Sequence, residues 1–152
     1  MKRFKFRLEA VQKIRKRNEE EAMRVLADAR HRLSELLKHG ESLQRAVEAA
    51  LIRKESLGAE PVSGAAFKIE EDFIAGSKLR IAQLAIRVSK AQRAVEKAMR
   101  FFIHARRQLH VIETLREREF EAFKRQVQKR EQKEMDDLVT MRAGRALMED
   151  AT

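Results

Sequence analysis

Apolar residues recur at steps of three and four along most of this chain. In the N-terminal part they are Phe4, Leu8, Val11, Ala22, Val25, Ala29, Leu33, Leu36, Leu43, Val47 and Ala50. Steps of three and four place side chains on one face of an α-helix. The pattern therefore predicts a first helix over about residues 4–56.

Two places weaken this first seam of apolar residues. Arg15 and Asn18 stand where the seam should be apolar, and Gly40 interrupts it later. A glycine in a helix interior costs about 1 kcal/mol relative to alanine. Because the apolar period resumes in phase at Leu43, we predict one continuous helix.

A second and more regular seam follows in the C-terminal part. It consists of Leu84, Val88, Ala91, Val95, Ala98, Phe102, Ala105, Leu109 and Ile112. From the first to the last of these is 28 residues in eight steps, an average of 3.5. That is the coiled-coil period, which keeps one stripe against a partner helix. The pattern predicts a second helix over about residues 65–142, weakened at Gly76-Ser77 and ending at Gly144.

The interruption between the two seams holds the single proline of the chain. Pro61 lies between Gly58 and Gly64, and Ser63 can cap the helix that follows. Two long helices with one short connection predict an antiparallel α-hairpin. We therefore expect an all-α, two-helix antiparallel coiled coil, a single domain over residues 1–152 with a turn at about 57–64 and a short C-terminal tail. A homodimer of long helices is the competing arrangement.

The position of the turn makes the two helices unequal. Folding about Pro61 places Phe4 level with Arg118, so that residues beyond about Phe120 have no partner helix. This overhang carries a spaced set of apolar residues, Phe120, Phe123, Val127, Met135 and Leu138. Two interpretations stay open. Either the set is a docking surface for another protein, or Phe4 and Phe6 cover Phe120 and Phe123 while the remainder frays.

The composition fits long helices better than a compact globule. Of the 152 residues 38% are charged and 5% aromatic, there is no cysteine, and the formal net charge is +10. Residues 1–17 hold eight Lys and Arg against one acid, but no apolar run follows, so we do not expect them to form a signal peptide. No stretch reaches the ~18 apolar residues of a membrane span. We expect a cytoplasmic protein in a reducing compartment.

Candidate catalytic chemistry is sparse. His31, His39, His104 and His110 lack the spacing of a helical zinc site, and the glycines are too scattered for a phosphate-binding loop. We therefore expect no metal, no cofactor and no enzymatic activity. Interspersed Glu and Arg on the second helix indicate a solvated surface with i, i+4 ion pairs. A basic nucleic-acid-binding coiled coil remains the alternative function.

Three stretches together resemble the FliJ family of bacterial flagellar type III export proteins. The opening, residues 4–11 (FKFRLEAV), is similar to the basic, aromatic start of that family. Phe73-Ile74 resembles its entry into the second helix. The most specific stretch is 130–137 (REQKEMDD), which resembles a Gln-Lys-x-hydrophobic-Asp-acidic signature.

The resemblance implies a stalk-like coiled coil that binds the hexameric export ATPase, promotes its assembly and activity, and contacts the cytoplasmic domain of the membrane export gate and export chaperones. It implies a cytoplasmic location, peripheral to the inner membrane at the flagellar base. The implied gate contact is Phe73 and Ile74, although Ser77 stands where the family has an apolar residue one turn later. For the ATPase contact we expect the tip residues Phe4, Phe6, Arg7, Arg116, Phe120, Phe123, Lys124, Gln132, Lys133, Met135 and Asp136.

Overall fold

Two long helices make up nearly all of the chain. The computed structural model describes residues 3–58 and 64–149. Helix α1 spans Glu9–Gly58 and has 50 residues. Helix α2 spans Gly64–Glu149 and has 86 residues. The helices pack against each other and the described residues contain no strand, which confirms the predicted hairpin with a longer second helix. The predicted turn at Pro61 and the cap at Ser63 lie outside the described residues.

The helix ends differ from those predicted. Helix α1 begins at Glu9 rather than Phe4, after a turn in which the Glu9 amide donates to the Phe6 carbonyl at 3.3 Å. Helix α2 passes through Gly144, so the predicted stop there is wrong. The described glycines all keep φ outside the positive range. A cost of about 1 kcal/mol is too small to end a helix whose neighbouring residues, Arg142, Ala143 and Arg145, favour it.

The chain divides into two compact units. The turn unit comprises residues 18–105, and the terminal unit comprises residues 1–17 with residues 106–152. In the turn unit Val47, Ala50 and Ile74 form a buried cluster, with Ile81 packed against it. The predicted seam of α2 is confirmed here, because each of its residues from Leu84 to Ala105 is at least half-buried.

The seam of α1 differs from the prediction at one position in the turn unit. Val25 is 53% exposed, whereas its neighbour Leu26 is only 4% exposed. Both residues satisfy a three-or-four step from Ala22. Only Leu26 lies a full heptad before Leu33, and the seven-residue repeat decides which side chain stays in the seam.

Gly40 occupies a seam position of α1 and lets a leucine approach the helix closely. A Cβ added to Gly40 would lie 3.3 Å from Cδ2 of Leu84, a residue that is buried. The missing side chain leaves the space into which Leu84 packs. Helix α1 is continuous through Gly40, as predicted. The glycine that interrupts the apolar pattern makes room for Leu84.

Two glycine-to-alanine substitutions test whether the space at Gly40 contributes to stability. Gly76→Ala is expected to raise the free energy of unfolding by about 1 kcal/mol, because it removes a helix-interior glycine and an added Cβ meets nothing within 4 Å. Gly40→Ala makes the same change of propensity but crowds Leu84, so its gain should be clearly smaller. Urea unfolding followed by circular dichroism measures both. Equal gains would show that Leu84 is not constrained by Gly40.

The terminal unit has its own buried residues, which are Phe6, Leu109 and Ile112. Arg15, the polar residue in the α1 seam, donates from its guanidinium Nη1 to the Gln108 carbonyl at 2.9 Å. A polar residue thus fills a seam position by reaching the backbone of α2. None of the helices in the described part of the chain is long and apolar enough to cross a membrane.

Candidate protein-binding surfaces

Three phenylalanines in the terminal unit form an aromatic clasp. The Phe4 ring lies 5.2 Å from the Phe120 ring in an edge-on arrangement and 5.6 Å from the Phe123 ring. Such edge-on and tilted pairs are favourable beyond their area of burial. The Nζ of Lys124 lies 4.8 Å from the centre of the Phe120 ring. Phe4 therefore covers part of Phe120 and Phe123, as one of the two interpretations expects, and Phe120 remains 39% exposed.

The predicted pairing of Phe4 is displaced by two residues. Level pairing about Pro61 places Phe4 opposite Arg118, whereas its ring packs on Phe120. Phe4 precedes the start of α1 at Glu9, so the level pairing of two helices does not apply to it.

A shallow groove borders the aromatic clasp. Its volume is about 510 Å³, and it is lined by Phe4, Gln12, Glu113, Arg116, Glu117 and Phe120. The predicted site residue Arg116 therefore lines a groove beside the clasp, together with Glu113 and Glu117. A groove with an apolar end and a charged rim suits an apolar side chain presented by another protein. Of the other two predicted residues at this end, Phe6 is buried and Arg7 is exposed.

Beyond the clasp, α2 continues as an overhang, residues 124–149. Every side chain from Gln128 to Arg145 is exposed, and these include the predicted residues Gln132, Lys133, Met135 and Asp136. The segment continues α2 as a helix as far as Glu149. Thr140 donates its hydroxyl to the Asp136 carbonyl at 2.8 Å, one turn earlier.

The overhang carries an apolar stripe, of which only Met135 and Leu138 were among the predicted apolar residues. Met135, Leu138 and Val139 are exposed and stand at i, i+3 and i+4, which places them on one face. Val139 was missed, although its spacing from Met135 was the available signal. An exposed apolar helix face of this kind suits the groove of a partner protein.

The second candidate surface lies in the turn unit, near the start of α2. Phe73 is 41% exposed, whereas Ile74 is 7% exposed and packs with Val47 and Ala50. Ser77 is 2% exposed. Of the two residues predicted to bind the export gate, only Phe73 presents its side chain at the surface, while Ile74 and Ser77 face α1.

Ion pairs join the two helices beside this surface. Arg53 donates to the Glu70 carboxylate through two nitrogens, at 2.8 and 3.1 Å. The hydrogen bonds from Arg53 hold the pKa of Glu70 below its ordinary value, and those to Glu70 raise the pKa of Arg53. Lys54 pairs with Glu71 at 3.4 Å, and its Nζ lies 4.7 Å from the centre of the Phe67 ring. These contacts join α1 and α2 a few residues before Phe73.

The next feature is the set of four histidines, considered as possible metal ligands. All four are exposed. Among the described residues, no three His, Asp or Glu side chains are grouped closely enough to hold a metal ion.

Comparison with known proteins adds one finding to this geometry. A family model described as "Flagellar FliJ protein" matches residues 4–147. No curated protein and no solved structure gives a match. The matched span includes the aromatic clasp, most of the overhang and the surface around Phe73. Because the match covers nearly all of the 152 residues, the chain belongs to the FliJ family of flagellar export components.

Proposed function

We propose that this chain is a non-enzymatic, stalk-like component of the flagellar type III export apparatus that binds the hexameric export ATPase and promotes its assembly and activity. The overhang carries this proposal. It continues α2 as an unbroken helix, and its side chains from Gln128 to Arg145 are all exposed.

The chemistry of the overhang supports a protein partner. Its apolar stripe, Met135, Leu138 and Val139, is flanked by charges of both signs. Burial of apolar side chains supplies affinity, and charges around them fix orientation. The groove beside the aromatic clasp offers a second partly apolar place, lined by Phe4, Phe120 and Arg116. A helix without a covering layer on any side can enter a pore or a groove, which suits the axis of a ring of subunits.

Titration of the purified chain into its cognate export ATPase tests the proposal. We expect hexamer formation to shift to lower ATPase concentration and ATP turnover to rise. Light scattering and a coupled phosphate-release assay measure the two quantities. A titration that changes neither quantity would contradict the function proposed here.

For the turn unit, we propose that Phe73 contacts the cytoplasmic domain of the membrane export gate. The support is that Phe73 is a large apolar residue exposed at the surface, close to the ion pair that joins the start of α2 to α1. In this arrangement the protein acts in the cytoplasm, peripheral to the inner membrane at the flagellar base. Contacts with export chaperones belong to the same proposal.

Two adjacent substitutions separate gate binding from folding. Phe73→Ala is expected to weaken binding of the gate domain at least tenfold with little change in stability, because large aromatic residues dominate such interfaces and this one is exposed. Ile74→Ala is expected to lower stability by about 2 kcal/mol, because it empties a buried position. Isothermal titration calorimetry and thermal unfolding measure the pair. If Phe73→Ala lowers binding only in proportion to lost helicity, the assignment fails.

A further inference from the structure

The outward side of α2 in the turn unit is strongly basic. Between residues 78 and 105 there are seven Lys and Arg against one acid, Glu96. Six of the cations fall within an arc of about 100° on the helix, as judged by their heptad positions. This basic face consists of Arg80, Arg87, Lys90, Arg93, Lys97 and Arg100, which are all exposed.

The cations of the basic face are mostly unpaired in the described part of the chain. Only Arg100 has an ion pair there, with Glu96 at 3.8 Å. On α1 the pattern is different, since Lys38 pairs with Glu35 at 3.2 Å and Arg45 with Glu41 at 3.4 Å. Like charges three and four residues apart destabilise a helix slightly. An external polyanion would offset this repulsion.

Apolar side chains are interleaved with the cations on the same side. Leu79, Ile86 and Phe101 are 62%, 62% and 60% exposed, and their heptad positions fall within the same arc. Basic residues mixed with exposed Leu, Ile and Phe are typical of helices that lie flat in a membrane interface. Long cationic side chains extend to the headgroups while their stems follow the apolar surface. Nucleic-acid phosphates would engage the cations but leave Leu79 and Ile86 without a role.

We propose that the basic face is a binding surface for anionic phospholipid. The cations meet lipid phosphates, and Leu79, Ile86 and Phe101 enter the headgroup layer. The face begins one heptad after Phe73 and on the same column of α2, so that one side of the helix presents both surfaces. The proposal does not depend on binding to the export ATPase.

Vesicle sedimentation of the full chain tests this proposal. We expect binding to phosphatidylcholine vesicles that contain phosphatidylglycerol and little binding to phosphatidylcholine alone. The triple variant Arg87→Gln, Lys90→Gln, Arg93→Gln should reduce the partition coefficient about a hundredfold, from the contribution of each cation near an anionic surface. A matched triple variant on α1, Arg24→Gln, Arg30→Gln, Arg45→Gln, removes the same charge and should change binding by less than about threefold. Equal losses in the two variants would overturn the proposal.

A fluorescence measurement gives an independent readout of apolar insertion. The chain contains no Trp and no Tyr, so Phe101→Trp introduces a single fluorophore at an exposed site. Its emission should shift to the blue on anionic vesicles. An unchanged spectrum would overturn the proposal, and so would tighter binding of duplex DNA than of vesicles at the same salt concentration. Because no ATPase is present, the outcome is independent of the proposed coupling function.

Discussion

A chain that stops before Lys124 is expected to lose its stimulation of the export ATPase while its two helices remain folded together. The removed side chains from Gln128 to Arg145 are exposed, so they contribute little to either buried core. The aromatic clasp is retained, because Phe120 and Phe123 precede the cut. Apolar anchors at the centre of an interface carry most of its binding energy. We therefore expect at least a tenfold rise in the concentration needed for half-maximal ATP turnover.

A smaller change within the overhang sharpens this prediction. Met135→Ser with Val139→Ser removes two members of the apolar stripe. The matched control, Val25→Ser with Ile52→Ser, removes two apolar residues that are also exposed but lie on α1. Only the first pair should weaken stimulation of the ATPase. Full stimulation by the truncated chain would contradict this assignment. So would a loss of stimulation in the Met135→Ser, Val139→Ser variant that is matched by a loss of helicity in circular dichroism.

Leu84→Ala is expected to lower the free energy of unfolding by about 4 kcal/mol, toward the upper end for a buried leucine. Leu84 is 5% exposed and packs where Gly40 has no side chain. The cavity therefore opens toward a helix surface that cannot supply a side chain to fill it. Because small proteins are stable by only about 5–15 kcal/mol, this one change removes much of the stability. Urea unfolding followed by circular dichroism measures it.

Two further variants serve as controls for Leu84. Leu79→Ala removes the same side chain at an exposed position of the same helix and should change stability by no more than about 0.5 kcal/mol. Gly40→Ala combined with Leu84→Ala should recover part of the loss, because the new methyl group occupies some of the cavity. Similar losses for Leu79→Ala and Leu84→Ala would contradict the packing described here.

The fold was predictable wherever the apolar period is long and unbroken. The seam from Leu84 onward contains nine apolar residues at regular spacing. Their number leaves only one helical face that holds them all, so the sequence alone locates the buried face of α2. Between Ala22 and Ala29 the choice of Val25 or Leu26 needed the full heptad repeat. The predicted stop at Gly144 was wrong because one glycine costs less than its helix-favouring neighbours contribute.

The candidate surfaces were less predictable, since they depend on side-chain reach. Whether Phe4 covers Phe120 could not be decided from level pairing, because the chain before Glu9 is not helical and approaches α2 on its own path. Phe73 and Ile74 are neighbours that point about 100° apart on a helix. The available signal was the heptad repeat, because Ile74 lies two heptads before the seam residue Val88, whereas Phe73 lies two heptads before the exposed Arg87.

The space at Gly40 also determines the axial alignment of the two helices in the turn unit. The seam of α1 repeats every seven residues, so sliding α2 by one heptad would bring Leu33 or Val47 opposite Leu84. In the slipped pairing, the side chain of Leu33 or Val47 would stand where Gly40 has none and would take the space that Leu84 needs. A slipped pairing would therefore create a clash at Leu84 and an unfilled space at Gly40 at the same time. One residue without a side chain thus distinguishes the observed alignment of the two helices from alignments shifted by a heptad.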